Sequence, residues 1–235
     1  MEKILNPQAI FCSIIIPVLN EAALINNTIE HLHNLEGNDK LEIIVVDGDT
    51  EGGTLREISH DDVRKTISPR GRGRQMNEGA AAASGGILLF LHADTALPPD
   101  ALKLIAAAMQ KTTYAAGAFD LGIKSERFIF RVIEFAASLR SRITRIPFGD
   151  QAVFIRKDYF DVIGGYKDIP LMEDIEIMER IKKRGDKIVI LPQKTLTSSR
   201  RWEAEGILYS TIRNWLLQIL YFFGISPHKL SRFYK

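Results

Sequence analysis

The chain has 235 residues, of which 46% are hydrophobic, and a formal net charge of +2. This length suffices for one sizeable core with an elaborated edge, so we expect one α/β domain over residues 1–235. A charge this close to neutral argues against a general polyanion binder, and no nucleic-acid partner is expected. Cys12 is the single cysteine, so no internal disulfide can form, which favours a reducing, cytoplasmic setting. It falls within a predicted strand, where packing is its expected role.

Neither end of the sequence predicts a membrane-spanning or targeting segment. Glu2 and Lys3 precede an apolar run that lacks the cationic start and the small-residue cleavage site of a signal peptide. Near the other end, residues 212–225 are rich in apolar side chains, but Arg213 and Gln218 interrupt them and the run is too short to span a bilayer. We expect an amphipathic helix that either packs on the core or lies in a membrane interface.

The first half of the chain alternates apolar strands with helices. Residues 11–18, 41–46 and 87–91 are too evenly apolar for half-exposed strands, which predicts a parallel sheet buried on both faces. Parallel strands require crossover connections, and the connecting segments here have apolar residues at helical spacing. The predicted connecting elements are helices at 22–35, 55–59, 75–83 and 101–110 and a small strand near 63–67.

The second half predicts a mixed arrangement. A strand at 115–123 need not be parallel to its neighbours, and a long helix at 126–143 carries several arginines. Glu176 and Arg180 are spaced to pair across one helical turn. The remaining predicted elements are strands at 151–155 and 187–191 and helices at 158–163 and 173–181.

Polar residues follow each of the three apolar strands. The first strand leads into Asn20-Glu21, the second into Asp47-Gly48, and the third into His92-Ala93-Asp94. The carboxyl ends of parallel strands meet at one edge of a sheet, where open α/β sheets bind ligands. This edge is therefore predicted to suit a nucleotide and a metal ion.

These strings, followed by Gly164-Gly165-Tyr166 and Glu173-Asp174, resemble the glycosyltransferases of family 2, which have the GT-A fold. The resemblance covers roughly residues 11–205 and depends on the order of the motifs. The fuller strings at 73–77, 91–95 and 149–152 are similar to a compact bacterial subgroup of that family.

The resemblance implies a mostly parallel, Rossmann-like nucleotide-binding sheet flanked by helices. It assigns nucleotide-sugar binding to about residues 11–112 and the mixed acceptor and catalytic half to about 113–205. A C-terminal amphipathic helix and tail, residues 206–235, would follow.

In this family the strand ends hold the base and ribose of a nucleotide sugar, UDP- or GDP-linked, because carboxylates accept hydrogen bonds from a ring imide and from sugar hydroxyls. From position alone, Asn20 and Glu21 could instead cap the next helix and Asp47 could occupy a turn. The residues expected to bind the nucleotide sugar are Pro17, Asn20, Glu21, Asp47, Gly48, Arg74, Asp94 and Arg201.

Asp94 is the main candidate metal ligand. A divalent cation would neutralise the charge that develops on the departing nucleoside diphosphate. The family's usual Asp-x-Asp motif is His92-Ala93-Asp94 here, so one acid is missing. If His92 binds the ion, imidazole favours Mn²⁺ over Mg²⁺; the alternative is a hydrogen-bonded structural histidine.

Asp174 is the candidate general base, since transfer with inversion needs one carboxylate near the acceptor hydroxyl. Glu173 would orient the acceptor or its loop. The alternative is that both acids only complement the dipole at the start of a helix. Gln151 and Trp202 are expected on the acceptor side, with core packing as an equal alternative for Trp202.

Arg70, Arg72 and Arg74 lie in a glycine-spaced segment that could reach a diphosphate, because guanidinium groups suit phosphate geometry. Arg70 and Arg72 are interpreted as residues of a solvated loop, with diphosphate contact as the alternative, whereas Arg74 belongs to the family-like string. Arg201-Trp202 resembles the end of the Gln-x-x-Arg-Trp motif of processive family members, but Ser198 replaces the glutamine, which argues against polymer synthesis.

Two function classes remain open. One is an inverting, metal-dependent transferase with a small-molecule or lipid-linked acceptor. The other is a catalytically weak nucleotide-sugar-binding protein of the same fold. The sequence does not predict the donor sugar, the acceptor or the oligomeric state.

Attachment to the inner face of a membrane is an alternative to a wholly soluble location. The predicted long helix is rich in arginine, and Lys229, Arg232 and Lys235 follow the aromatic C-terminal segment. Basic and aromatic groups together suit anionic lipid if they adjoin and are exposed. The other interpretation is a solvated basic helix beside a core-packed terminal helix.

Overall fold

The computed structural model describes residues 12–234. Phe11, the Glu2-Lys3 segment and Lys235 lie outside the described residues.

Within this range eight strands form one sheet in the order β3-β2-β1-β4-β7-β6-β8-β5. β1, β2, β3 and β4 are parallel, whereas β7 is antiparallel to both of its neighbours. The predicted mostly parallel α/β sheet is thus confirmed. The strands are β1 (Cys12–Val18), β2 (Leu41–Asp47), β3 (Arg64–Ile67), β4 (Ile87–Phe90), β5 (Thr95–Ala96), β6 (Tyr114–Lys124), β7 (Phe154–Arg156) and β8 (Lys187–Ser198).

Helices cover both faces of the sheet. The helices in residues 12–234 are α1 (Ala22–His33), α2 (Gly53–Arg56), α3 (Arg72–Ala82), α4 (Ala101–Gln110), α5 (Phe128–Thr144), α6 (Lys157–Val162), α7 (Glu173–Lys183), α8 (Arg200–Glu205), α9 (Ile207–Phe222) and α10 (Pro227–Leu230). Short 3₁₀ turns occupy Asn38–Lys40, Gly149–Gln151 and Ser231–Phe233. No helix in the described part of the chain has both the length and the hydropathy to cross a membrane.

The core lies on both sides of the sheet, as the evenly apolar strands predict. Successive residues of β1 alternate between two clusters: Ile15 packs with α3 residues such as Met76, while Ile14 packs with α1 residues such as Ile25. Each of these side chains is 4% exposed or less. Because both faces are covered, the carboxyl ends of the strands are the part of the sheet left for a ligand.

β8 is longer than predicted. The sequence prediction ends it at Leu191, before Pro192, but pairing with β6 continues to Ser198. Phe119 pairs with Leu191 and Asp120 pairs with Lys194, so Pro192 and its successor lie in a bulge that needs no ladder hydrogen bond from proline.

The last long helix, α9, starts at Ile207, within the predicted C-terminal segment 206–235 and ahead of the apolar run that begins at residue 212. It follows Gly206, whose φ of 92° separates it from α8.

Candidate functional site

A cleft of about 880 Å³ opens where β1 and β4 end. The start of α3, the Gly149–Gln151 turn and the start of α7 line it on one side, and α8 and α9 line it on another. The charged or titratable side chains along the cleft are Glu21, Arg70, Arg72, His92, Asp94, Asp150, Glu173, Asp174, Arg200 and Arg201.

Asp47 and Gly48 are near this edge but do not line the cleft. The Asp47 side chain is fully buried, and its two oxygens accept hydrogen bonds from the backbone amides of Asp49 and Thr54, both at 3.0 Å. Asp47 therefore organises the loop after β2, as the turn alternative supposed.

The string at residues 73–77 ties the edge of the sheet together. Gln75 Nε2 donates to the carbonyls of Val18 and Val46, at 2.7 and 2.9 Å, and so joins the ends of β1 and β2. A Cβ on Gly48 would lie 3.0 Å from the Gln75 side chain. Gly48 therefore leaves room for this bridge.

Asn77 fixes the loop before α7 in a similar way. Its amide donates to the Tyr166 carbonyl and accepts from the Tyr166 backbone N–H, both at 2.8 Å. Gly73 packs so closely that a Cβ would lie 2.6 Å from the Lys167 carbonyl oxygen. The family-like string thus holds two walls of the cleft in place.

Glu21 lines the cleft and pairs with Arg200, whose Nη2 lies 3.2 Å from Oε2. Asn20 is exposed, with a left-handed φ of 59°, and does not line the cleft. Neither residue makes a side-chain cap hydrogen bond to α1, so the capping alternative does not describe this turn. Pro17 lines the cleft at the end of β1.

The acidic side of the cleft brings together Asp94, Asp150 and Asp174. The pKa of Asp150 is raised from 3.8 to about 6, mainly by burial. The nearby charges of Arg140 and Arg72 oppose this shift, and those of Asp174 and Asp94 add to it. Three carboxylates facing one space repel each other, which favours either a proton or a cation among them.

His92 is neutral at physiological pH. Burial, and to a smaller extent the Arg72 guanidinium, lowers its pKa to about 3. A neutral imidazole has one nitrogen lone pair, which can accept a hydrogen bond or bind a metal.

The Gly149–Gln151 turn helps to hold the Asp174 side chain in place. Its Oδ2 accepts a 2.9 Å hydrogen bond from the Gly149 backbone N–H. A Cβ on Gly149 would lie 2.8 Å from His92 Nε2, so glycine permits this close packing between His92 and Asp174. Met172, just before α7, has a φ of 69°, and such strain in a non-glycine residue is concentrated at functional sites.

The sequence predicts Arg74 as the arginine of the cleft, whereas the structure places Arg72 there. Arg74 points away from it and pairs with the exposed Asp168 at 2.6 Å. Arg72, interpreted from the sequence as a loop residue, lines the cleft and pairs with Glu173 at 3.2 Å. The glycine spacing predicts a loop, but α3 already begins at Arg72, and the two-residue step from Arg72 to Arg74 turns their side chains to different sides of the helix.

Glu173 is almost fully buried beside Arg72. Burial raises its pKa, the Arg72 charge opposes the shift, and the Asp174 charge adds to it. The predicted helix pair next to it is confirmed, with Arg180 Nε 2.8 Å from Glu176 Oε2.

Gln151 does not face the cleft, contrary to its predicted acceptor role. It is 1% exposed and donates to the Phe119 carbonyl at 2.8 Å and to Ser141 Oγ at 3.1 Å. The adjacent Asp150 is the residue that the 149–152 string brings to the cleft. The 149–152 string predicts this part of the site, but the sequence does not indicate which of its side chains faces the cleft.

Trp202 lines the cleft and also packs edge-to-face on Phe130, with ring centroids 6.0 Å apart. Arg201 lines the cleft, pairs with Glu205 at 3.0 Å and donates to the Tyr234 hydroxyl at 2.6 Å. Trp202 thus packs on the core and lines the cleft at the same time.

The cleft acids do not form a ready three-ligand cage. Within residues 12–234, three potential donors approach within 4.8 Å of one another at His33, His60 and Asp62. None of these three lines the cleft.

The sequence model of Glycosyl transferase family 2 matches residues 13–167, more than half of the chain. The chain belongs to this family. The probable glycosyltransferase YdaM of Bacillus subtilis (strain 168) is similar, with 26% identity across 82% of this chain and 50% of its own length. The chain spans about half the length of this relative.

Two solved structures share the fold. A mannosyltransferase from Pyrobaculum calidifontis, PcManGT, in complex with GDP-Man and Mn²⁺, matches with a TM-score of 0.61 and 23% identity over 81% of this chain and 58% of its own. S. aureus TarS 1–349 in complex with UDP matches with a TM-score of 0.61 and 16% identity over 80% of this chain and 60% of its own. The GT-A fold implied by the sequence resemblance is confirmed.

Proposed function

We propose that this chain transfers a sugar, with inversion, from a nucleotide-sugar donor to an acceptor hydroxyl. The observation that carries the proposal is the position of Asp174, which lines the cleft while the Gly149 N–H holds one of its oxygens. A fixed carboxylate is what a general base needs, because proton transfer requires hydrogen-bond reach to the acceptor. Family membership makes glycosyl transfer the reaction class, and the two GT-A neighbours carry nucleotide or nucleotide-sugar ligands.

The donor would lie along the strand ends, with its diphosphate near Arg72. Arg72 is the guanidinium that faces both His92 and Glu173, and guanidinium groups suit phosphate geometry. Pro17 and Glu21 would lie beside the base and ribose. Residues about 11–112 form the donor half in this proposal, and residues about 113–205 form the acceptor half.

A divalent cation fits the acidic side of the cleft. Asp94 and Asp150 supply oxygen donors, and the repulsion that raises the pKa of Asp150 would be relieved by a cation. When bound, the ion supplies charge neutralisation for the departing nucleoside diphosphate. Asp94 and Asp150 would hold the ion, and the neutral His92, as a nitrogen donor, would incline the site towards Mn²⁺ over Mg²⁺.

The acceptor would enter beside Trp202 and α9, with its hydroxyl directed at Asp174. Glu173, neutralised by Arg72, would position the start of α7 so that Asp174 keeps its orientation. We propose a cytoplasmic enzyme whose acceptor is lipid-linked; a small soluble acceptor is the other outcome of the tests below.

Donor turnover separates an enzyme from a catalytically weak binding protein. Purified protein is incubated with UDP- and GDP-sugars with and without Mn²⁺, and both thermal stabilisation and nucleoside diphosphate release are measured. We expect one donor class to stabilise the protein and to release its nucleoside diphosphate only with metal. Stabilisation without release under any condition would indicate the binding protein.

Two variants test the metal assignment in the same assay. Asp94→Ala should abolish Mn²⁺-dependent donor binding and release, whereas His92→Ala should weaken them less. Equal Mn²⁺ affinity in the wild type and in Asp94→Ala would contradict the assignment. NMR of the product's anomeric configuration tests inversion.

A further inference from the structure

Two helices of the acceptor half carry exposed apolar stripes. On α5 the stripe recurs every three or four residues, which places its members on one face of the helix, and Phe128 is 79% exposed. On α9 the stripe ends at Phe223, which is 82% exposed. We call the two stripes together the apolar surface, and it consists of Phe128, Val132, Phe135, Leu139, Ile143, Leu208, Ile212, Trp215, Leu216, Ile219, Phe222 and Phe223.

The opposite faces of both helices already do the packing. Phe130 of α5 is fully buried with residues of β6, and Glu134 accepts a 2.7 Å hydrogen bond from the Ile123 backbone N–H. On α9, Ser210, Asn214 and Leu217 line the cleft. The apolar surface is therefore not needed to hold either helix on the protein, and a stripe of this size marks an interaction site.

The two stripes belong to one region of the molecule. Ile207 at the start of α9 and Trp202 of α8 pack on the same small cluster as Phe130 of α5. Because one face of α9 lines the cleft and the other carries the stripe, the apolar surface lies next to the mouth of the proposed active site.

Cations outnumber exposed acids along the helices that carry the apolar surface. Residues 206–234 contain no aspartate or glutamate, while His228, Lys229 and Arg232 are exposed there. In α5 the only acid is Glu134, which is 1% exposed and paired with Arg131 and Lys194. Further exposed cations, Arg127 and Arg145, stand at the two ends of α5, with Glu126 and Glu203 as the exposed acids at the rim.

We propose that the apolar surface docks this chain on an anionic lipid bilayer, with the cleft mouth beside the membrane. Apolar and aromatic side chains enter the interface and flanking cations contact anionic headgroups, which is how peripheral amphipathic helices bind. A second copy of the chain fits less well, because a self-paired surface would bring like charges together. Docking itself does not depend on catalysis, but the lipid-linked acceptor it delivers rests on the proposed function.

Vesicle flotation tests the docking. The protein is mixed with vesicles of phosphatidylcholine alone or with phosphatidylglycerol, at low and at high salt. We expect binding only to the phosphatidylglycerol vesicles and its loss at high salt, since salt screens the contact. Two outcomes would overturn the proposal: no binding at low salt, or a dimer in solution whose interface buries the apolar surface.

Paired variants separate the apolar and the charged contributions. Ile212→Gln, Ile219→Gln and Phe223→Gln combined should abolish flotation, whereas Val162→Gln, an exposed apolar residue of α6, should leave it unchanged. Lys229→Gln with Arg232→Gln should weaken binding about fivefold per residue, and Lys40→Gln with Lys111→Gln should not.

Donor hydrolysis in vesicle-free solution should stay at the wild-type level in all these variants, which also reports that they fold. A protein that floats but never releases nucleoside diphosphate would refute the proposed function and leave docking intact. Equal flotation of the apolar variant and Val162→Gln would refute docking alone.

Discussion

The two sides of the cleft use polar side chains differently. On the side of β1, β2 and α3, three polar side chains bond to backbone groups: Asp47 and Gln75, which are buried, and the half-buried Asn77. On the opposite side, Asp94 and Asp150 face the cavity near Asp174, and the pKa of Asp150 is raised to about 6.

This difference separates architecture from chemistry. A polar side chain that bonds to backbone groups stabilises the fold and has less capacity left for a ligand. A group of like charges in a cleft costs stability and persists where a ligand or a proton relieves the repulsion. Substitutions of these backbone-bonded side chains on the first side should therefore lower stability, and substitutions of the acids on the second should lower activity.

The largest expected effect on activity comes from Asp174→Asn. Asparagine keeps the shape and one oxygen that can accept from the Gly149 N–H, but it loses the acceptor of the Ile175 N–H and cannot take a proton. Turnover should fall by about 10²-fold or more with donor affinity nearly unchanged. Steady-state transfer rates and donor titration measure the two quantities.

Asp168→Asn is the matched control for Asp174→Asn. This exposed carboxylate pairs with Arg74 away from the cleft, so transfer should stay within about twofold of wild type. If Asp174→Asn also retained near-normal turnover, another group or water would be the base.

On the side of β1, β2 and α3, Gln75→Ala should lower the free energy of unfolding by about 2 kcal/mol. The change removes both hydrogen bonds that join the ends of β1 and β2 and leaves a space in a buried site. Urea unfolding measures the loss. Gln110→Ala, at the exposed end of α4, should change stability by less than about 0.5 kcal/mol.

The fold was largely predictable from the sequence because it depends on repeated apolar patterns. The evenly apolar β1 and the amphipathic α4 were predicted nearly to the residue, since burial of one face or of two faces leaves a period in the sequence. The end of β8 was missed because its pairing depends on a bulge at Pro192, which has no period.

The site was predictable as a region but not side chain by side chain. The order of the motifs predicts the strand ends and the start of α7 as the site. It points to Arg74 and Gln151, however, whereas Arg72 and Asp150 line the cleft. Within a motif, neighbouring residues point in different directions, and the starting residue of a helix decides which one faces the ligand.

A smaller effect distinguishes the two arginines. If Arg72 binds the donor diphosphate, Arg72→Gln should raise the donor KM about tenfold or more, because a charge-assisted hydrogen bond is lost. Arg74→Gln breaks only an exposed ion pair and should change KM by less than about twofold. Equal effects of the two substitutions would contradict the assignment of Arg72.

The remaining prediction is a pH dependence of stability in the metal-free protein. The folded-state pKa of Asp150 is raised from 3.8 to about 6 by burial and by the charges of Asp174 and Asp94, so folding favours its protonated form.

The contribution of Asp150 to stability is therefore complete below about pH 4 and is lost as the pH rises through about 6. Asp150→Asn cannot ionise, so its free energy of unfolding, measured in urea, should fall less than that of the wild type across this interval. Glu173, whose pKa burial also raises, is present in both proteins, so most of its contribution cancels in the difference. Parallel curves would mean that Asp150 does not carry the unrelieved charge of the cleft, and the comparison between its two sides would then lose its electrostatic basis.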